Sequence, residues 1–337
     1  MNIVTTKNLR KINVEKVLNT MMEQDTCTKN ELTDLTGLSL GSVNTILKQL
    51  MEEKKVEECG YNESTGGRRS MSYRLNGDYS KTLCISIFRN SNRVHISYKV
   101  FNLKDEVKAQ KAIIKKNLSL QDLYDVIDTV LATNENVKVI GFSIPGIIED
   151  GYVISTNIPN FDNINFNELK NRYNQNIVVG NDVNTAAIGF YLAQTDYENV
   201  AILFQPSIGF AGIGMVVNGK LLLGKSHIAG EVQYLPTGYS ADTQKLLSTP
   251  KGCEELITKE VQTIIAMINP DAIGICCYFM TEFDGVIRNL KKVFRKADDL
   301  PEIIYIGELG DYILTGVNML CKETLTTNLV MTRKKIV

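Results

Sequence analysis

Ser42, Asn44, Thr45 and Lys48 fall within about two turns of one helical stretch, and their side chains carry groups that read nucleic acid. Amides and hydroxyls can hydrogen-bond base edges, while an ammonium suits a phosphate. A basic pair, Arg68 and Arg69, stands in the turn-rich run YNESTGGRR. At the tip of a hairpin these guanidiniums would reach the DNA backbone or the minor groove. Other reactive residue types point away from chemistry. Seven cysteines, scattered and odd in number, make no disulfide framework and suit a reducing cytoplasm. Cys276 and Cys277 are adjacent rather than spaced C-x-x-C, which fits a buried strand better than a metal site. His95 sits in an alternating strand and reads as structural, whereas His227 lies at a hairpin exit where it could touch a ligand.

The first group of residues needs a rigid helix to present it. Segment 8–23 places Leu9, Ile12, Val17, Leu18 and Met21 at mostly helical spacing and predicts one amphipathic helix. Thr28-Lys-Asn-Glu31 has the S/T-x-x-E pattern of a capping box and starts a short helix through Thr36. Gly37 stops it where a positive φ is useful. Ser39 can cap a third helix with Val43, Ile46, Leu47 and Leu50 as its buried stripe. Short helix, glycine turn and capped helix form a helix-turn-helix, whose second helix enters the major groove with its early residues against base edges. VEECG and SMSYRLN then read as the two strands of a wing.

The remainder reads as α/β. LCISIF and VHISYKVFN suggest a hairpin, and VKVIGFSI is a strand ending at Pro145-Gly146. A second hairpin turns at Glu149-Asp-Gly151 and a third at Asn218-Gly219. Helices are expected at 119–132, 165–174, 183–194, 253–268, 282–296 and from Gly310, with strands NIVV, NVAILFQ, AIGIC and EIIYIG between them. The 337 residues are enough for two or three domains. The net charge of -1 gives no global pull toward nucleic acid or membrane, so a DNA-binding surface must be local. No apolar run approaches the length of a membrane span, and charges interrupt the opening residues where a signal peptide would be apolar.

The ordered set of TKNELTDLTGLSLGSVNTILKQLMEEKKVEE, GGRRSMSYRLN, VIGFSIPGIIEDGYVISTNIPNF, IVVGNDVNTAAIGFY, GIGMVVNGKLLLGKSHIAGEVQYLP and YIGELGDYILTGVNML resembles the ROK family (repressor, open reading frame, kinase) across nearly the whole chain. The resemblance implies a winged helix-turn-helix at 1–78 and a two-lobed actin-like, hexokinase-like body. The first lobe would be 79–185 and the second 186–337, with the last helix free to return to the first.

Kinases of that family hold ATP with a D-x-G-G-T-like turn, but the matching stretch here is Ser86-Ile-Phe88-Arg89-Asn90. A bulky Phe88 stands where phosphate needs bare backbone. Phe210 interrupts the second phosphate loop, and Cys276-Cys277 replaces the adenosine-side glycines. Phosphoryl transfer needs all three parts, so the chain is expected not to be an enzyme and to need no cofactor. The family's zinc box reads Glu231-Val-Gln-Tyr234, with only Cys253 in the segment that follows, so no metal is expected.

By resemblance, Asn157, Asn181, Asp182 and Glu231 match positions that hold sugar hydroxyls, with Tyr234 where the family has histidine. The expected partners are operator DNA and a small sugar or sugar-phosphate effector. A homodimer or dimer of dimers, without membrane attachment, is expected to act in the cytoplasm as a regulator of carbohydrate metabolism genes. Two rivals stay open: a body that is only a dimerisation scaffold, and a sugar kinase with an added head, against which Ser86, Phe88 and Phe210 argue.

Overall fold

The computed structural model describes residues 6–61, 69–90, 92–207, 209–235, 243–294, 296 and 300–325, in two compact units. The first unit takes the described residues of Met1–Lys81 together with Phe101–Lys108. Its elements are α1 (Thr6–Glu23), β1 (Cys27–Thr28), α2 (Lys29–Thr36), α3 (Leu40–Glu52), β2 (Val56–Tyr61) and β3 (Met71–Leu75).

The punctuation between these helices is chemical. Thr28 Oγ1 accepts the Glu31 backbone N–H at 3.3 Å, and Glu31 accepts the Thr28 N–H at 2.7 Å, which closes the capping box. Gly37 takes φ 65°, and its N–H returns to the Thr33 carbonyl. Ser39 caps α3 by accepting the Ser42 N–H. Val43, Ile46, Leu47 and Leu50 are buried in a cluster with Val17, Met21, Leu32, Val56, Tyr73 and Leu75. The three strands form an antiparallel sheet in the order β1-β3-β2.

One expectation fails in this unit. Leu9 and Ile12 are 49% and 53% exposed, because the cluster draws only on the later half of α1, through Val14, Val17, Leu18 and Met21.

The second unit takes the described residues of Thr82–Val100 and of Ala109–Val337. Chain order gives β4 (Lys81–Asn90), β5 (Arg93–Asn102), β6 (Val107–Lys115), α4 (Leu120–Thr133), β7 (Val137–Ile144), β8 (Ile147–Glu149), β9 (Tyr152–Ser155), β10 (Ile164–Asn165) and β11 (Asn176–Asn181). It continues with α5 (Asp182–Ala193), β12 (Val200–Gln205), β13 (Gly212–Val217), β14 (Lys220–Leu221), α6 (Thr243–Leu247), α7 (Pro250–Ile268), β15 (Ala272–Cys277), α8 (Asp284–Val293), β16 (Glu302–Tyr305) and α9 (Gly310–Leu325).

Two five-stranded sheets result, ordered β11-β7-β4-β5-β6 and β14-β13-β12-β15-β16. Each combines hairpin strands with parallel ones, and each has its own apolar cluster. Helices α5 and α9 join the two sheets: they pack on each other, α5 also on β12 and β13, α9 also on β7. Their backbones touch. A Cβ on Gly316 would lie 1.9 Å from the Thr185 carbonyl oxygen, and one on Gly189 2.0 Å from that of Tyr312.

Two expectations are revised. The helix expected at 165–174 is a 3-10 segment, Phe166–Asn171, opened by the Asn165 side chain accepting the Asn167 N–H. Asn-rich sequence favours such local bonds over a longer helix. Strand β6 escaped the pattern because lysines interrupt its apolar residues, as suits a strand at the edge of its sheet.

Candidate functional site

Helix α3 turns Asn44, Thr45 and Lys48 outward. Ser42 is half-buried, with its hydroxyl 2.9 Å from Ser39 Oγ, and Thr45 donates its hydroxyl to the Gly41 carbonyl at 3.0 Å. Asn44 and Lys48 have no partner among the described residues, which leaves an amide and an ammonium for an outside molecule. Arg10 donates to Gln49 at 2.8 Å and ties α1 to α3. Arg69 is exposed two residues before the second wing strand, while Arg68 lies outside the described residues.

In the second unit, strand β11 delivers Asn181 and Asp182 to the start of α5. Asn181 caps that helix by accepting the Asn184 N–H at 2.9 Å, and its amide donates to the Gly146 carbonyl at 2.7 Å. Gly146 is at φ 115°, and a Cβ there would meet the Ser155 carbonyl oxygen at 2.0 Å. The chain after β9 is thereby laid against the turn that Asn181 holds, and Asn157 follows in it, exposed, with Arg89 donating to its carbonyl at 3.3 Å.

Asp182 is buried and accepts the Val183 N–H at 2.9 Å. Burial, reinforced by the charge of Glu231, pushes its carboxyl up to about 6 despite the opposing backbone N–H bonds. Glu231 is half-buried, and burial raises it too, against the lowering effect of the Gln233 amide. Its place is set by an antiparallel bridge to Gly212 and by Gly230, where a Cβ would sit 1.8 Å from the Ile213 carbonyl oxygen. A Cβ on Gly212 would in turn meet the Val183 side chain at 3.0 Å, so the Glu231 segment is bracketed onto the first turn of α5.

Two neighbouring acids, both raised by burial and Asp182 further by the charge of Glu231, suit vicinal hydroxyls, to which a carboxylate gives paired hydrogen bonds. Tyr234 is 63% exposed, with its N–H on the Glu231 carbonyl. His227, at φ 56°, places Nδ1 3.3 Å from the Ile148 carbonyl and links the loop before Glu231 to β8. Neither this contact nor that of Arg89 is legible in the sequence. The only hint was an arginine in place of a glycine.

The stretch 86–90, which the family resemblance sets against a phosphate turn, carries side chains where that turn has glycine. Ser86 is buried, and the Phe88 ring stacks on His95 with centroids 4.7 Å apart. Phe210 is 46% exposed, and Cys276 and Cys277 are buried, with Cys277 Sγ 3.8 Å from that of Cys253. Among the described residues no group of three or more His, Cys, Asp or Glu is arranged to hold a metal ion. Two surface hollows, one lined by Tyr98, Lys111 and Thr129 and one by Leu290 and Ile303, touch neither Asp182 nor Glu231. No helix among the described residues is long and apolar enough to cross a membrane.

Residues 93–258 match the model of the ROK family, and residues 11–57 match a winged helix-turn-helix DNA-binding model. The xylose repressor of Caldicellulosiruptor bescii is 26% identical over 245 residues, which are 69% of this chain and 61% of that protein, less than two thirds of its length. The xylose repressor of Bacillus subtilis is 24% identical, covering 77% of this chain and 69% of its own. The DNA-binding transcriptional dual regulator NagC of Escherichia coli is 22% identical, covering 86% and 73%. Among solved structures, a ROK family transcriptional regulator homologous to the E. coli MLC protein superimposes with a TM-score of 0.71 at 15% identity, over 95% of this chain and 98% of that one. A ROK hexokinase from Thermus thermophilus gives 0.58 at 15%, over 74% and 100%. At these identities the structural likeness speaks for the fold.

Proposed function

We propose, from the premise that the chain belongs to the ROK family and carries an amino-terminal winged helix-turn-helix, that it is a sequence-specific repressor of carbohydrate metabolism genes whose body senses a sugar-like effector. The observation that carries the sensing half is the convergence of buried Asp182 and half-buried Glu231 at the start of α5, while Phe88, stacked on His95, stands where the resemblance sets a phosphate turn. Hydroxyl-binding groups without phosphate equipment describe a receptor better than a kinase. The names of the relatives point to xylose or N-acetylglucosamine as the kind of effector.

Asn157, Asn181, Asp182, Glu231 and Tyr234 are our candidates for effector contact. Ser42, Asn44, Thr45, Lys48, Arg68 and Arg69 are those for DNA. Of the DNA set, Asn44 and Lys48 rank first, because the hydroxyls of Ser42 and Thr45 are already engaged within α3 and its cap. A two-fold dimer would place two heads on mirrored half-sites.

The test is a thermal-shift screen of the full chain against xylose, N-acetylglucosamine, other sugars and their phosphates. A ligand present at about 100 times its Kd stabilises the native state by ~2.7 kcal/mol. We expect a sugar to raise the melting temperature of the wild type and not of Glu231→Ala. A broad panel without a single binder at millimolar concentration would leave the body as a scaffold.

A further inference from the structure

We propose that Leu40 and Gly41, in the first turn of α3, form a contact for the 5-methyl group of a thymine in the operator. The inference rests on α3 being the recognition helix. Leu40 is 47% exposed although it stands in the first turn of a helix whose other apolar residues all pack into the cluster, Val43, Ile46, Leu47 and Leu50 buried and Met51 partly so. The apolar entry to this helix is already made by Leu38 and Val43, which both join the unit's cluster, so Leu40 is not needed to staple it.

Gly41 is the second anomaly. Its φ is not positive, and a Cβ there would meet nothing closer than Ser39 Oγ at 3.9 Å. Neither the backbone nor the packing of the described residues calls for a glycine, and a helical glycine is less stable than alanine at the same place. Gly37, four residues earlier, has the opposite character: its φ of 65° explains it fully. A bare backbone with open space above it suits close approach by a molecule outside the chain.

Both residues share a face with the polar contacts. Leu40 and Asn44 are spaced i,i+4, as are Gly41 and Thr45, and Lys48 follows one turn after Asn44. Asn is suited to a bidentate bond with adenine, whose partner thymine carries the one methyl group in the major groove. The early residues of a recognition helix are those that meet base edges. An exposed leucine beside a bare backbone, next to an unpartnered asparagine, therefore fits an A·T step read for its methyl as well as for its hydrogen bonds.

Thymine and uracil differ only by that methyl. A duplex selected by the full-length protein from a randomised pool serves as the probe, with each thymine replaced in turn by deoxyuridine. At one position per half-site the change should weaken binding about fourfold, the equivalent of one buried methyl. Leu40→Ala should bind the thymine duplex more weakly by a similar factor and lose its sensitivity to uracil at that position. Gly41→Ala should raise the melting temperature of the protein yet lower its affinity for the duplex, an outcome that misfolding cannot produce. If Asn44→Ala and Lys48→Ala lose binding while no uracil position responds to Leu40→Ala, the thymine contact is wrong and the recognition helix stands. If Asn44→Ala and Lys48→Ala bind as wild type does, the recognition helix is wrong and the contact falls with it.

Discussion

Replacing Asp182 by Asn should make the protein more stable at neutral pH and blind to its effector. The carboxyl is buried, and its pKa is raised from an ordinary 3.8 to about 6, first by desolvation and then by Glu231. A folded-state pKa above the unfolded one means that the native state holds the proton more tightly. The contribution is fully present below pH 3.8, is lost as pH rises through that window, and above about pH 6 the ionised group opposes folding. The gap between the two values corresponds to about 3 kcal/mol.

Asn mimics the protonated carboxyl and can still accept the Val183 N–H that Asp182 accepts at 2.9 Å. Asp182→Asn should therefore melt about 6–12 °C higher than wild type near pH 8, at roughly 2–4 °C per kcal/mol for a unit of this size. The difference should shrink toward zero near pH 4. Scanning calorimetry of both proteins across that range reads it directly, and a thermal-shift titration reads the lost binding. An Asp182→Asn protein that is less stable than wild type near pH 8, or a gain that does not vary with pH, would refute the desolvated carboxylate on which the site is built.

Thr28→Ala removes the acceptor of one half of the capping box and should cost about 1 kcal/mol in the stability of the helix-turn-helix unit, measured by urea denaturation. Gly316→Ala would drive a methyl onto the Thr185 carbonyl, so the crossing of α5 and α9 must open; about 1–3 kcal/mol or more should be lost, visible as a lower melting temperature. Arg69→Ala should weaken binding to all duplexes alike and reduce the slope of log K against log salt by about 1, as expected for one phosphate contact.

The signals that the sequence carried well were local. The capping box at Thr28, the stop at Gly37 and the cap at Ser39 each need only a few neighbouring residues, and all three form as expected. The buried stripe of α3 follows from its spacing for the same reason. Periodicity does not say how far the core reaches along α1, so it extends the apolar stripe to Leu9 and Ile12, which the interior does not reach.

The candidate site is less local still. Asn181 and Asp182 are adjacent in the chain, but Glu231 reaches them only through the Gly212 bridge and the tight approach of Gly230 to Ile213. Nothing in the order of residues predicts that approach, and only resemblance linked those positions beforehand. The same holds for Arg89 at the Asn157 carbonyl and His227 at that of Ile148, contacts between segments far apart in sequence.

On the proposed function, effector and operator are coupled through one protein. Fluorescence anisotropy of a labelled, selected duplex titrated with the full chain tests it, with and without the sugar found by thermal shift. The effector should change operator affinity by about 5–150-fold, the range of an ordinary coupling free energy, and Glu231→Ala should abolish that change. An affinity that is the same with and without a sugar known to be bound would contradict that coupling.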